Sequence, residues 1–236
     1  MKRSEINKAL RELEAMCQQE HCYLPPFCHF TPEEWKTKGH EYDEVRDCML
    51  GWDITDYGLG DFDKVGMSLI TIRNGNRAMQ DKYPKVYAEK LLYMKEGQYS
   101  PNHFHWYKTE DIINRGGGNV LIRVYNSLPD ESIDKVSDVT GHCDGKAYTV
   151  PAGTQIRLTP GESIHIPQYC TTTSTSSPAP APSCSARSAN ATTTIPITAS
   201  TRRSAVSRRS RRTSRPTDFS AANTRPLKTD HHTAAP

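Results

Sequence analysis

The composition of this chain changes abruptly at residue 170, and that break confines any packed core to the residues before it. Of the 67 residues from Cys170 onward, 53 are Ser, Thr, Ala, Pro or Arg, and only Ile195, Ile197, Val206, Phe219 and Leu227 are large apolar residues. The segment carries nine Arg and one Lys against Asp218 and Asp230, a net +8, so the overall +3 leaves −5 for residues 1–169. So little apolar surface cannot offset the entropy of ordering, which predicts a disordered basic tail over 170–236. The remaining length suits one domain. No apolar run approaches the roughly 20 residues of a membrane span, and Met1-Lys2-Arg3 leads straight into an amphipathic pattern rather than a signal peptide. The seven cysteines lack CxxC or zinc-finger spacing and read as free thiols of a reducing compartment. A soluble, cytoplasmic protein with no membrane partner is expected.

Within the first 169 residues the pattern begins helical and turns to strand. Ile6, Leu10, Leu13 and Cys17 recur at helical spacing over 4–18, with Ser4 as the cap. Thr31-Pro32-Glu33-Glu34 combines a cap residue, a proline at the first helical position and Glu three residues after the cap, which starts a second helix. Short strand-like runs then follow at 51–57, 66–72, 86–94, 120–125, 147–150, 155–158 and 163–166, each bounded by Gly, Pro or Asn-Gly turn signals. This spacing predicts a mainly β protein, a sandwich or barrel of antiparallel sheets with helices at one end.

The densest chemistry lies in His103-Phe104-His105-Trp106-Tyr107-Lys108-Thr109-Glu110. On a strand, His103 and His105 point to one face, and Glu110 folds back to the same point a turn later. Two imidazoles and a carboxylate suit a divalent metal with open coordination positions, such as Mn, Fe, Co or Zn. An isolated HxH is more often a pair of surface histidines, so the flanks decide. Gly97 precedes His103 with five residues between, Glu110 follows His105 after four, and Gly117 follows Glu110 after six. This spacing resembles the first conserved motif of the cupin superfamily. Pro160-Gly161-Glu162-Ser163-Ile164-His165-Ile166-Pro167 resembles the second motif, whose final histidine ligand would fall near 171–172. This chain has Thr171-Thr172-Thr173 there, and His165 lies in the wrong phase to replace it.

Several strings narrow the resemblance: Gly51-Trp52-Asp53-Ile54-Thr55-Asp56, Arg73-Asn74-Gly75, Glu89-Lys90-Leu91-Leu92, the HxHxxKxE run and Glu162–Tyr169. Over residues 1–169 the chain is similar to the D-lyxose isomerase family. The resemblance implies a cupin-type antiparallel barrel (jelly roll) over 46–169, incomplete at its end, behind an N-terminal helical extension over 1–45. It implies a homodimer that binds Mn²⁺ (with Co²⁺, Fe²⁺ or Zn²⁺ as other candidates) and interconverts D-lyxose and D-xylulose, and D-mannose and D-fructose, through a cis-enediol. His103, His105 and Glu110 become the expected metal ligands. Lys90 and Lys108 are expected to hold sugar hydroxyls, with Lys108 also stabilising enediolate charge. The carboxylate that shuttles the proton has no counterpart before residue 170.

The missing ligand and the unusual tail share one explanation. Inserting a single base after the codon for Tyr169 turns positions 170–174 into an aliphatic residue, then Tyr or His at 171, His, Asp, Asn or Tyr at 172 and 173, and an aliphatic residue or Phe at 174. The residues from about 170 therefore read as an out-of-frame translation, and the chain as it stands is expected to be poorly soluble, to bind Mn²⁺ weakly and to have no appreciable isomerase activity. Three other readings stay open from sequence: a non-haem Fe(II) dioxygenase, a non-catalytic sugar-binding module, and non-specific polyanion or nucleic-acid binding through Arg202-Arg203 and Arg208–Arg212.

Overall fold

The computed structural model describes residues 1–177 and the strand at 189–194, the latter through its backbone. Three α-helices, α1 (Arg3–Gln19), α2 (Pro32–Thr37) and α3 (Asp43–Asp47), precede the sheets. The strands are β1 (Gly51–Thr55), β2 (Met67–Arg73), β3 (Glu89–Lys95), β4 (Glu110–Gly116), β5 (Asn119–Ser127), β6 (Ile133–Asp134), β7 (Val139–Cys143), β8 (Lys146–Val150), β9 (Gln155–Leu158), β10 (Ser163–Ile166), β11 (Cys170–Ser177) and β12 (Ala189–Thr194). One sheet runs β1-β2-β3-β12-β4-β10-β7-β8 and the other β11-β5-β6, with β9 also paired to β5; the pairings between these strands are antiparallel. The expected mainly β, antiparallel architecture with N-terminal helices is what forms.

Alternation along the strands divides the apolar residues between two cores. Ile112, Val120, Ile122, Val124, Val139, Leu158, Ile164, Ile166 and Cys170 fill the space between the sheets. On the outer face of β1–β3, Trp52, Ile70 and Leu91 meet Leu10, Leu13 and Cys17 of α1. The indole of Trp52 donates to the Cys28 carbonyl at 2.8 Å, which ties the loop after α1 to the sheet. The helical extension thus supplies half of a core. Trp35, Val45, Cys48, Leu50 and Tyr83 form a third cluster under α2 and α3. Among the described residues the cysteines form no disulfide, and no helix is long and apolar enough to cross a membrane.

The structure corrects several expectations. The first helix starts at Arg3, so Ser4 lies inside it, and Glu5 instead accepts the Lys2 backbone N–H at 2.5 Å. The second helix is capped as expected, Thr31 accepting from Glu34 N at 3.2 Å and Glu34 from Thr31 N at 2.7 Å. Disorder from residue 170 does not hold for Cys170–Ser177, which pair along the whole of β5, nor for Ala189–Thr194, which lie between β3 and β4. The reason is local: hydroxyls stand in for large side chains. Thr173 donates to the Ser100 carbonyl, Thr175 to the Gln98 carbonyl and Ser176 to the Lys95 carbonyl. The two sheets therefore each gain a strand beyond the boundary at 169. Residues 178–188 and 195–236, where most of the expected tail falls, lie outside the described residues.

Candidate metal centre

The two motif glycines set the ends of the metal-bearing segment. Gly97 (φ 74°) and Gly117 (φ 81°) both occupy the left-handed region, where a Cβ is disfavoured. Between them His103 and His105 lie on an extended segment rather than on a regular strand, which corrects the sequence reading. That segment is held by β11: His103 N donates to the Thr172 carbonyl at 3.0 Å, and Thr172 N donates back at 2.9 Å. Tyr169 N donates to the His105 carbonyl at 3.1 Å. Glu110 opens β4, two residues before the core residue Ile112, so both face between the sheets.

The three residues converge as the spacing predicts. One ligand atom from each of His103, His105 and Glu110 falls within 4.8 Å of the others. The His103 ring donates from Nδ1 to the Pro101 carbonyl at 2.9 Å, which leaves the Nε2 lone pair free. His105 Nε2 stands 3.3 Å from Glu110 Oε2, yet it is a buried nitrogen that no protein group satisfies. A cation between these atoms would satisfy both, so the residues present fit a divalent metal.

Electrostatics prepare the ligands. Burial lowers the His105 pKa, against the pull of Glu110. Burial alone would raise Glu110, but His105 and the Lys108 ammonium outweigh it and keep the carboxylate well below its usual range. Lys108 donates directly to Glu110 Oε1. Lys90 stands on β3, and burial, with Lys108 second, lowers its pKa while Glu110 and Asp53 pull it up. Both predicted lysines therefore reach the electrostatic field of the centre.

Among the described residues, three ligand-type side chains converge at this point, and position 172 holds a threonine. Thr172 pairs with Val124, a core residue of β5, and sits directly opposite His103. Paired residues share a face, so a side chain at position 172 points toward His103 and His105. His165 turns outward and pairs with Asp111, Nδ1 to Oδ1 2.9 Å, away from the centre. Sequence reasoning assigned no role to Asp53 and Tyr57, which the electrostatics of the site include: burial raises Asp53 against the pull of Lys90, and burial, Asp53 and Glu110 push Tyr57 to about 12.

Comparison with known proteins places the chain in a family. The sequence profile of the family "D-lyxose isomerase" matches residues 1–175. The chain is 44% identical over 168 residues to a D-lyxose/D-mannose isomerase of Escherichia coli O157:H7, covering 71% of this chain and 73% of that one. It is 42% identical over 165 residues to a D-lyxose/D-mannose isomerase of Serratia proteamaculans, covering 70% and 72%. Among solved structures it resembles the L-ribose isomerase of Acinetobacter sp. DL28 with L-ribose (TM-score 0.53, 13% identity, 84% and 82% of the two chains). The L-ribose isomerase of Cellulomonas parahominis with L-ribose is similar too (TM-score 0.51, 15% identity, 84% of each chain). At these identities the two structures speak to the fold alone.

Proposed function

Because this chain belongs to the D-lyxose isomerase family, we propose that its centre at His103, His105 and Glu110 isomerises an open-chain aldose to its ketose in a metal-dependent reaction. D-lyxose and D-xylulose are the proposed pair, with D-mannose and D-fructose alongside, and Mn²⁺ is the proposed metal. The observation that carries the reading is the buried, unpartnered His105 nitrogen beside a carboxylate held ionised. A metal bound there supplies Lewis-acid polarisation of the carbonyl and neighbouring hydroxyl oxygens.

The chain's own residues supply the rest. His103 presents Nε2 because Pro101 holds its Nδ1–H. Glu110 stays a carboxylate because Lys108 and His105 stabilise its charge. Lys108, fixed on Glu110, places a positive charge where an enediolate oxygen develops negative charge. Lys90 carries a desolvated ammonium on the inner face of β3, suited to donate to sugar hydroxyls. The Lys–Glu pairing favours a polyol over the dioxygen chemistry of an iron site. A cytoplasmic homodimer is the setting the family resemblance implies, and any nucleic-acid binding would be non-specific, through the basic tail.

The frame change near codon 170 belongs to the same proposal. The E. coli relative is matched over 168 residues, 73% of its length. Eight consecutive small residues fill β11, and the position opposite His103 holds Thr172 rather than a ligand. The experiment is to measure bound Mn²⁺ and D-xylulose formed from D-lyxose by the protein with one base restored after codon 169, with His105→Ala as control. Retained metal and turnover in that variant would remove the centre from consideration.

A further inference from the structure

The string Gly51–Asp56 takes no part in the metal centre, yet it places a carboxylate within the same interior. On β1, Trp52 and Ile54 pack outward with α1, so Asp53 between them faces inward. On β3, Leu91 and Tyr93 pack on that same outer side, so Lys90 faces inward too. The register joins them: Asp53 pairs with Leu69, Leu69 with Leu92, and Lys90 lies two residues along from Leu92 on the same face. Glu110 shares the interior from β4.

Asp53 is solvent-accessible, yet protein surrounds it closely enough for desolvation to raise its pKa. A carboxylate that is reached by water on the inner face of β1 is open to a polar ligand. Tyr57 completes the group from the loop after β1, in left-handed backbone (φ 53°) that a tyrosine adopts only at a cost. Its phenol stays protonated, a hydrogen-bond donor, and its present acceptor is the Met67 thioether at 3.9 Å, a weak one. An acceptor at Asp53 with donors at Lys90 and Tyr57 matches a hydroxyl, which gives one hydrogen and accepts others.

We propose that Asp53, with Lys90 and Tyr57, forms the subsite for the hydroxyl-bearing tail of an open-chain sugar whose carbonyl end lies at His103, His105 and Glu110, and that Asp53 determines which chain length binds. This rests on the isomerase reading. The test uses the full chain at saturating Mn²⁺, with D-arabinitol and D-mannitol as unreactive five- and six-carbon probes, and titration calorimetry for each. Asp53→Ala should weaken D-arabinitol about tenfold to hundredfold, the scale of a lost charged hydrogen bond. It should change the ratio of the two alditol affinities and leave Mn²⁺ affinity within about twofold, and Asp53→Asn should fall between. Unchanged alditol binding in Asp53→Ala overturns the subsite. A parallel loss of Mn²⁺ overturns it too, because Asp53 would then act through the metal centre. If the unsubstituted chain binds Mn²⁺ and neither alditol, the sugar reading itself fails, and the subsite with it.

Discussion

Replacing Thr172 by histidine is the perturbation whose outcome the geometry fixes most closely. Thr172 exchanges two backbone hydrogen bonds with His103, of 3.0 and 2.9 Å, so a side chain there shares the face of the metal ligands. Four-ligand structural zinc sites are worth about 10–16 kcal/mol, or roughly 3 kcal/mol per ligand. Manganese binds nitrogen donors more weakly, so a fourth imidazole should contribute about 1.5–3 kcal/mol, a tenfold to hundredfold fall in Kd. The site is tightly packed: Thr172 is 3% exposed and pairs with Val124, which is fully buried. The larger ring should therefore cost about 1–3 kcal/mol of apo stability, several degrees of Tm in a domain of this size. Thr172→His should then melt below the unsubstituted chain without metal, and gain more on adding Mn²⁺, about 2.7 kcal/mol at a hundredfold excess over Kd. Calorimetric titration and melting curves with and without Mn²⁺ measure both effects. A cooperative apo melt with an unchanged Mn²⁺ Kd would refute the placement of position 172.

Further outcomes follow from the same contacts. In the protein with one base restored after codon 169, His103→Ala or His105→Ala should each release Mn²⁺ and abolish ketose formation, and Glu110→Gln should weaken metal binding with the fold retained, measured by bound metal after gel filtration and by ketose formed from D-lyxose. Lys90→Met and Lys108→Met should each lower kcat/KM by about 1.5–3 kcal/mol with metal content unchanged, and wild-type kinetics would return both to ordinary surface charges. Asp53 has a raised folded pKa, so its stability contribution is present below the unfolded value of 3.8 and is lost as pH rises through the folded one. Asp53→Asn should therefore raise Tm at neutral pH, and the gain should vanish below pH 3.8; a lower Tm at neutral pH would contradict the desolvation argument. Trp52→Phe strands the buried Cys28 carbonyl and leaves a void, which should cost about 2–4 kcal/mol by chemical denaturation.

The metal centre was legible because its chemistry is compressed into one short run. The spacing from Gly97 to Gly117 spans two left-handed glycines and the residues between them, so the convergence of His103, His105 and Glu110 could be expected from sequence alone. Lys90 was legible through the family string and the strand pattern around it. Asp53 and Tyr57 were not, because their relation to Glu110 arises only when β2 and β3 bring β1 to the same interior. Among the strands, β4 was missed because its residues open with Glu110 and Asp111 and it contains Asn114. That asparagine is fully buried and bonds the carbonyls of Gly118 and Leu158 at 2.7 and 2.9 Å, so a polar residue does the work of a core one. β7 hid behind its Gly141 and His142. β11 was read as tail because no residue in it is large, and its strand character comes from pairing with β5 and from hydroxyls that satisfy neighbouring carbonyls. Composition measures what a segment can bury by itself; it does not register what a partner strand offers.

The most direct test of the account is to follow D-xylulose formation from D-lyxose by the Mn²⁺-loaded protein, comparing the chain as it stands with a version carrying one base restored after codon 169. The account predicts Mn²⁺-dependent ketose from the restored protein, none after chelation or in its His105→Ala variant, and far slower turnover by the chain as it stands. A restored protein that melts cooperatively, holds Mn²⁺ and forms no ketose would contradict it.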